Sequence, residues 1–255
     1  MDKATIVGVG GAVGVIVVAN VLEGGSPMSL LMLPPMLLVF GATLLISMAG
    51  GTTADAKASV RAAKRAFTAK VPPAGDVVPT VVSLADKARR EGLLALEDAT
   101  KDIDDPFLVK GVTLAIDGND PEEVRDILEA EVAAKRKVDK QAAKLFADAG
   151  AYAPTIGIIG TVMGLVHVLE NLAEPETLGH SIAGAFIATL WGVMSANVFW
   201  LPIATKLKRI SELEVARMEV VIEGVAAIQA GSNPRVIQHR LVALLPADQQ
   251  PAQAA

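Results

Sequence analysis

Four hydroxyls, Thr155, Thr161, Thr189 and Ser195, and two prolines, Pro154 and Pro202, stand in stretches of this 255-residue chain that contain no Asp, Glu, Lys or Arg. The stretches run from Gly150 to Leu169 and from Ser181 to Ala204. Hydroxyls in such surroundings supply the modest polarity that lines a narrow hydrated path. The same hydroxyls can instead bond the carbonyl one turn back in their own helix. Each proline leaves a carbonyl without its intrahelical donor, which gives either a hinge or a static bend. No nucleophile–base pair and no cluster of metal-ligand side chains accompanies them, so the sequence argues against an enzyme. The chain has no Cys, which removes disulfides, thiolate metal sites and thiol nucleophiles. No resident cofactor or metal is expected.

The absence of charge is informative. Proteins that move ions across a bilayer place an ionisable group inside it, and such groups are rare and functional. None of the apolar stretches holds an Asp, Glu, Lys or Arg, and His167, beside Glu170 near one end, sits where an interfacial or packing role is expected. Either the chain moves nothing, or a partner supplies the titrating group.

The elements that must position these residues are helical. Hydrophobic residues make up 52% of the chain and the mean hydropathy is positive, which points to several membrane spans. Four apolar runs are long enough: 4–22, 28–49, 150–171 and 181–204. Lys3 ahead of the first run also fits a signal peptide, but a second run after five residues fits a helical hairpin better. Pro34 and Pro35 should bend or loosen the first turns of the second run. Gly150, Gly157, Gly160 and Gly164 in the third run, and Gly184, Ala188, Gly192 and Ala196 in the fourth, form small-residue stripes suited to close helix packing.

Between residues 51 and 148 the composition switches, and 16 of the 23 Lys and Arg residues lie there. The pattern predicts helices over Ala54–Ala69, Val77–Arg90, Leu93–Ala99 and Pro106–Ile116, the last closed by Asp117-Gly118-Asn119. Asp120-Pro121-Glu122-Glu123 is a helix start, and nothing stops that helix before the third apolar run, about fifty residues in all or ~75 Å. After Pro202 a charged helix runs to about Ala230, Gly231 stops it, Asn233-Pro234 restarts one over Arg235–Leu245, and the tail from Pro246 reads as disordered. The two short loops, Glu23–Pro27 and Ala173–His180, contain no Lys or Arg, so the positive-inside rule places both termini and the long loop in the cytoplasm. The fold class is thus an all-α membrane protein: four transmembrane helices, with a helical cytoplasmic domain inserted between helices 2 and 3. Its parts are 1–50, 51–148, 149–204 and 205–255. The net charge of −5 argues against nucleic acid as a partner.

Ala153-Pro154-Thr155-Ile156-Gly157-Ile158-Ile159-Gly160-Thr161-Val162-Met163-Gly164-Leu165, with Ala185-Phe186-Ile187-Ala188-Thr189-Leu190-Trp191-Gly192 and Pro202, resembles the MotA family of flagellar motor stator subunits. Arg89-Arg90-Glu91-Gly92-Leu93-Leu94-Ala95-Leu96-Glu97 and Gly231-Ser232-Asn233-Pro234 are similar to that family as well. The resemblance implies a bacterial inner-membrane subunit that couples ion flow to rotor torque. Its partner would be a MotB-like, peptidoglycan-anchored single-span protein whose aspartate carries the ion. It implies a homo-oligomer, a pentamer around a partner dimer, with spans three and four lining the interior and cytoplasmic heads pushing the flagellar rotor C-ring. Pro154 and Pro202 match the family's two functional prolines, at the two ends of the inner helix pair; Thr161 and Thr189 match positions that face the partner's aspartate. Sodium-using relatives tend to carry Thr-Thr where this chain has Ala188-Thr189, so protons are expected. Arg89 or Arg90 and Glu97, with Asp98 as a companion, match rotor-facing charges; a plain solvated charged face is the rival reading. An energy-transducing subunit of the ExbB or TolQ type is the alternative, although those have three spans and lack the first hairpin. A permease subunit should show a substrate pocket or an ATPase-docking loop, and neither is evident.

Overall fold

The structure is a computed structural model that describes residues 3–173 and 175–250. Helices account for every regular element among the described residues. Helix α1 spans Lys3–Leu22. A 3-10 turn, Pro27–Leu30, comes next, with Ser26 Oγ accepting from Met28 N at 3.3 Å. The second apolar run is made of α2 (Leu33–Met36), a π-helical segment (Leu37–Ala42) and α3 (Thr43–Ala49). It was expected to be helical from residue 28. Pro34 and Pro35 have no N–H and are accommodated only in a first turn, where amides lack intrahelical acceptors, so the α-helix begins at Leu33.

Helix α4 (Thr53–Thr68) starts on a reciprocal capping box between Thr52 and Asp55. Those bonds to the Thr52 amide and hydroxyl hold the Asp55 carboxyl below its ordinary value. Next come α5 (Val78–Glu91), a 3-10 turn (Leu93–Ala95), α6 (Leu96–Ala99), a 3-10 turn (Thr100–Asp102) and α7 (Pro106–Ile116). Gly92 ends α5 at φ +87°, a conformation that side chains with a Cβ rarely adopt. Helix α8 runs unbroken for 50 residues, Pro121–Glu170, from the predicted start signal. Helix α9 (Pro175–Ser195) begins earlier than the expected span at 181, because Pro175 is itself a suitable first helical residue. A π-helical segment (Ala196–Trp200) leads into α10 (Leu201–Gln229), and α11 (Pro234–Ala243) closes the chain. The expected disorder from Pro246 is not what residues 247–249 show: they form a 3-10 turn, and Gln249 Oε1 accepts from Gly75 N at 3.4 Å. Residues 251–255 lie outside the described residues.

The chain divides into two compact units, 1–70 with 139–208 and 71–138 with 209–255. In the first, α4 packs Ala62 and Ala66 against Ala142, Ala143 and Phe146 of α8 and Ala204 and Leu207 of α10. Ser59 Oγ donates to Ala142 O at 3.2 Å, and Arg65 pairs with Asp139 at 2.8 Å. Among the described residues three helices, with apolar windows in Thr5–Leu22, Pro121–Glu170 and Leu178–Gln229, are long and apolar enough to cross a membrane; Leu33–Ala49 is a shorter apolar helix. The second unit is a helical head built on Val81, Leu96, Leu108, Leu128, Val221, Ile237 and Leu241. Leu128 is fully buried there, so Leu128→Ala should lower the head's stability by about 2–5 kcal/mol, seen as a lower denaturation midpoint of the detergent-solubilised chain.

Candidate functional site

The third and fourth apolar runs meet backbone to backbone. A Cβ placed on Gly157 would sit 2.8 Å from Ala188 O, and one on Gly192 would sit 2.7 Å from Ala153 O and 2.9 Å from Gly157 Cα. On Gly160 and Gly164 it would lie 2.7 Å from the Cβ atoms of Ala188 and Ala185. From α9 nothing larger than the methyls of Ala185 and Ala188 enters this seam, and without the glycines the two helices would have to separate. What α9 presents to α8 is Ala185, Ala188 and Gly192, whereas Gly184, counted in the expected stripe, faces Met32, whose Cε would lie 3.4 Å from an added Cβ.

At the edge of the seam the Thr161 and Thr189 hydroxyls are hydrogen-bonded to each other across the helix pair. Thr161 Oγ1 also lies 3.0 Å from Ala185 O and 3.2 Å from Gly157 O. Carbonyls only accept, so the single Thr161 proton goes to them, and Thr189 must donate to Thr161. The Thr189 oxygen thereby keeps its lone pairs for an outside donor, and both side chains are half-buried at the surface of the pair. Thr161 thus combines the two roles open to it, bonding its own helix and its neighbour. Thr155 Oγ1 donates to Tyr152 O at 2.8 Å and Ser195 Oγ to Gly192 O at 3.3 Å, both within one helix. Ser195 is fully buried and lines no path. Ala188, 1% exposed, points its methyl at Gly160 and so belongs to the seam rather than to the polar edge.

Pro154 and Pro202 were expected at opposite ends of this helix pair. Because α8 and the helix through α9 and α10 run antiparallel, both lie at one end: a Cβ on Gly150 would meet Leu201 Cδ2 at 2.5 Å. Gly150 carries the carbonyl that Pro154 cannot bond, and Leu201 precedes Pro202. Helix α8 passes through Pro154 without interruption. Pro202 comes directly after the π segment, where the Leu201 amide reaches back five residues to Ala196 O. A π turn inserts one residue, rotating the downstream helix by ~100°. His167 is exposed at the far end, where Asn171 Nδ2 donates to its carbonyl at 2.8 Å.

In the head, Arg89 and Arg90 end α5, and Glu97 and Asp98 open α6 across the Gly92 turn; all four side chains are exposed. Arg90 is paired with Asp86, one turn back. Arg89 and the Glu97 carboxylate make no ion pair among the described residues. Asp98 pairs with Lys101 at 2.7 Å, which lowers the Asp98 carboxyl below its ordinary value and raises the Lys101 ammonium. Asp98 therefore keeps its charge to lower pH than a free aspartate. Leu96, fully buried, pins α6 to the core between these charges.

Two features had no sequence signal: the indole of Trp191, whose Nε1 donates to Leu30 O at 2.7 Å and ties α9 to the first hairpin, and the pairing of Arg217 with Asp105 at 2.9 Å. No group of three or more His, Cys, Asp or Glu side chains suited to a metal occurs among the described residues.

The family model described as the MotA/TolQ/ExbB proton channel family matches residues 99–220. Motility protein A of Bacillus subtilis (strain 168) is 38% identical over 248 residues, covering 97% of this chain and 92% of that protein. The structure of C. jejuni MotAB superposes with a TM-score of 0.94 at 31% identity, covering 99% of this chain and 100% of that one. The structure of the flagellar MotAB stator complex from Bacillus subtilis gives a TM-score of 0.91 at 37% identity, with coverage of 99% and 100%.

Proposed function

Because the chain belongs to the MotA/TolQ/ExbB proton channel family, we propose that it is a flagellar motor stator subunit, which with a MotB-type partner couples ion flow across the inner membrane to rotor torque. The observation that carries this reading is the helix pair itself. It offers a half-buried hydroxyl couple, Thr161 and Thr189, with one free acceptor oxygen, and no carboxylate within its uncharged stretches. Such a surface can accept a hydrogen bond from a protonated acid but cannot carry the proton. The partner's membrane aspartate would supply that acid. The family is one of channel subunits rather than enzymes.

Four spans, both termini in the cytoplasm, and a head that meets the rotor C-ring complete the proposal. Subunits assemble as a homo-oligomer, a pentamer around two partner chains, with α8 and α9 inward. The match to MotAB structures over 99% of the chain, first hairpin included, favours this over the ExbB/TolQ type. The coupling ion is the proton. Thr161 and Thr189 offer few oxygens, all but one already committed, whereas a sodium ion must recover the oxygens of its hydration shell. Swimming should therefore persist when sodium is replaced by potassium and stop when an uncoupler collapses the proton gradient.

Arg89, free of ion pairs among the described residues, and Glu97 are the rotor-facing charges, with Asp98 beside them and Arg90 tied back to Asp86. Exposed charges suit a contact that must form and break quickly, because they steer more than they hold. The chain should co-purify with a single-span partner and, with it, restore swimming to a strain lacking its stator. In that strain Glu97→Lys should remove most torque while leaving ion flow through the complex intact; normal swimming of the variant would take Glu97 out of the contact.

A further inference from the structure

The segment that carries the charged surface has little backbone ladder of its own. From Gly92 to Asp105 it consists of two 3-10 turns, one four-residue helix and an extended Ile103. Leu96 anchors its middle in the core, with Leu93, Ala99 and Ile103 packed partly against it. Its end is fixed by Asp105, which uses its two oxygens for different tasks. Oδ1 caps α7, accepting from Phe107 N at 3.0 Å and Leu108 N at 3.2 Å. Oδ2 accepts from Arg217 Nε at 2.9 Å. The same guanidinium reaches the other flank of the surface: Arg217 Nη1 donates to Pro73 O at 3.3 Å, just before the turn that leads into α5 and Arg89. One side chain on α10 thus holds the chain where it enters the Arg89 helix and where it leaves the Glu97 segment. The pair is shielded, with side chains 20% and 16% exposed. A planar fork can bond two acceptors at once in fixed directions, which an ammonium cannot.

We propose that Arg217 is a positioning residue that clamps both flanks of the Arg89–Glu97 surface to α10, so that force on α10 reaches those charges rather than being lost in a slack loop. This rests on the stator assignment. It touches neither rotor nor ion.

The test uses the full stator complex, comparing wild type with Arg217→Gln and Arg217→Lys. The reporter amides are Asp76, which donates to Pro73 O, and Ala95 and Ile103 in the clamped segment. Arg217→Gln should speed their hydrogen exchange roughly tenfold, the loss expected for a charged hydrogen bond, while amides of α8 and α11 keep their rates. Torque should fall with ion flow retained, and Arg217→Lys should fall between the two. Unchanged exchange at the reporters would overturn the clamp. Faster exchange throughout the head would make Arg217 an ordinary stabilising residue, and a loosened segment with full torque would remove its positioning role. Failure of the wild-type complex to restore swimming would instead sink the stator assignment, leaving the exchange result to stand alone.

Discussion

Pro202→Leu should abolish swimming while leaving the chain in the membrane at near wild-type abundance. Pro202 has no N–H, so Val198 O loses its ordinary helical donor, and the backbone before it relaxes into the π segment Ala196–Trp200. Leucine restores that donor and favours a regular α-helix. Converting the π turn into an α turn would change by ~100° the direction in which the residues just after Leu201 face. The change alters the helix beside Pro202 without opening a cavity, so the chain should still fold and insert. Quantitative immunoblots of membranes beside swimming assays separate the effects. If abundance and swimming fell in parallel, Pro202 would be a structural residue only.

Gly192→Val should prevent the third and fourth apolar helices from packing and remove most of the chain from the membrane. The first added atom alone would stand 2.7 Å from Ala153 O and 2.9 Å from Gly157 Cα, and backbone cannot step aside as a flexible side chain can. Overpacking commonly costs about 1–3 kcal/mol, and a clash against backbone on two sides belongs at or above the top of that range. Gly14→Ala on α1 is the matched control, since nothing lies within 4 Å of its added Cβ, and it should leave abundance unchanged. Normal levels of the Gly192→Val chain would mean the seam is not a close contact.

Local signals in the chain are legible because they act over a few residues. Asp120 Oδ1 accepts from Glu122 N at 2.9 Å, Asn233 Oδ1 from Arg235 N at 3.0 Å, and each opens the helix that its sequence pattern announces. Gly92, Gly118 and Gly231, expected stops, all take positive φ. The small-residue stripes mark packing faces on α8 and α9. What spacing does not contain is register: that Gly157 opposes Gly192, that Pro154 and Pro202 share an end, and that Ala188 turns into the seam depend on which helices pair and in which direction. The late start at Leu33 was readable in principle, since two consecutive prolines fit only a first turn. Arg217 was not, because its partner Asp105 is 112 residues away and the Asp105-Pro106 helix start says nothing of which cation will meet its second oxygen. That Arg90 rather than Arg89 is the paired one was readable, since Asp86 stands one turn before it on the predicted helix.

Ion flow measured in liposomes tests the central claim most directly, since the apolar helices hold acceptors for a proton but no acid to carry one. The purified chain alone should conduct no protons under an imposed gradient. Reconstituted with the MotB-type partner proposed for it, unplugged, it should conduct, and changing the membrane aspartate proposed for that partner to asparagine should stop the current. Proton flux through the chain by itself would contradict the account.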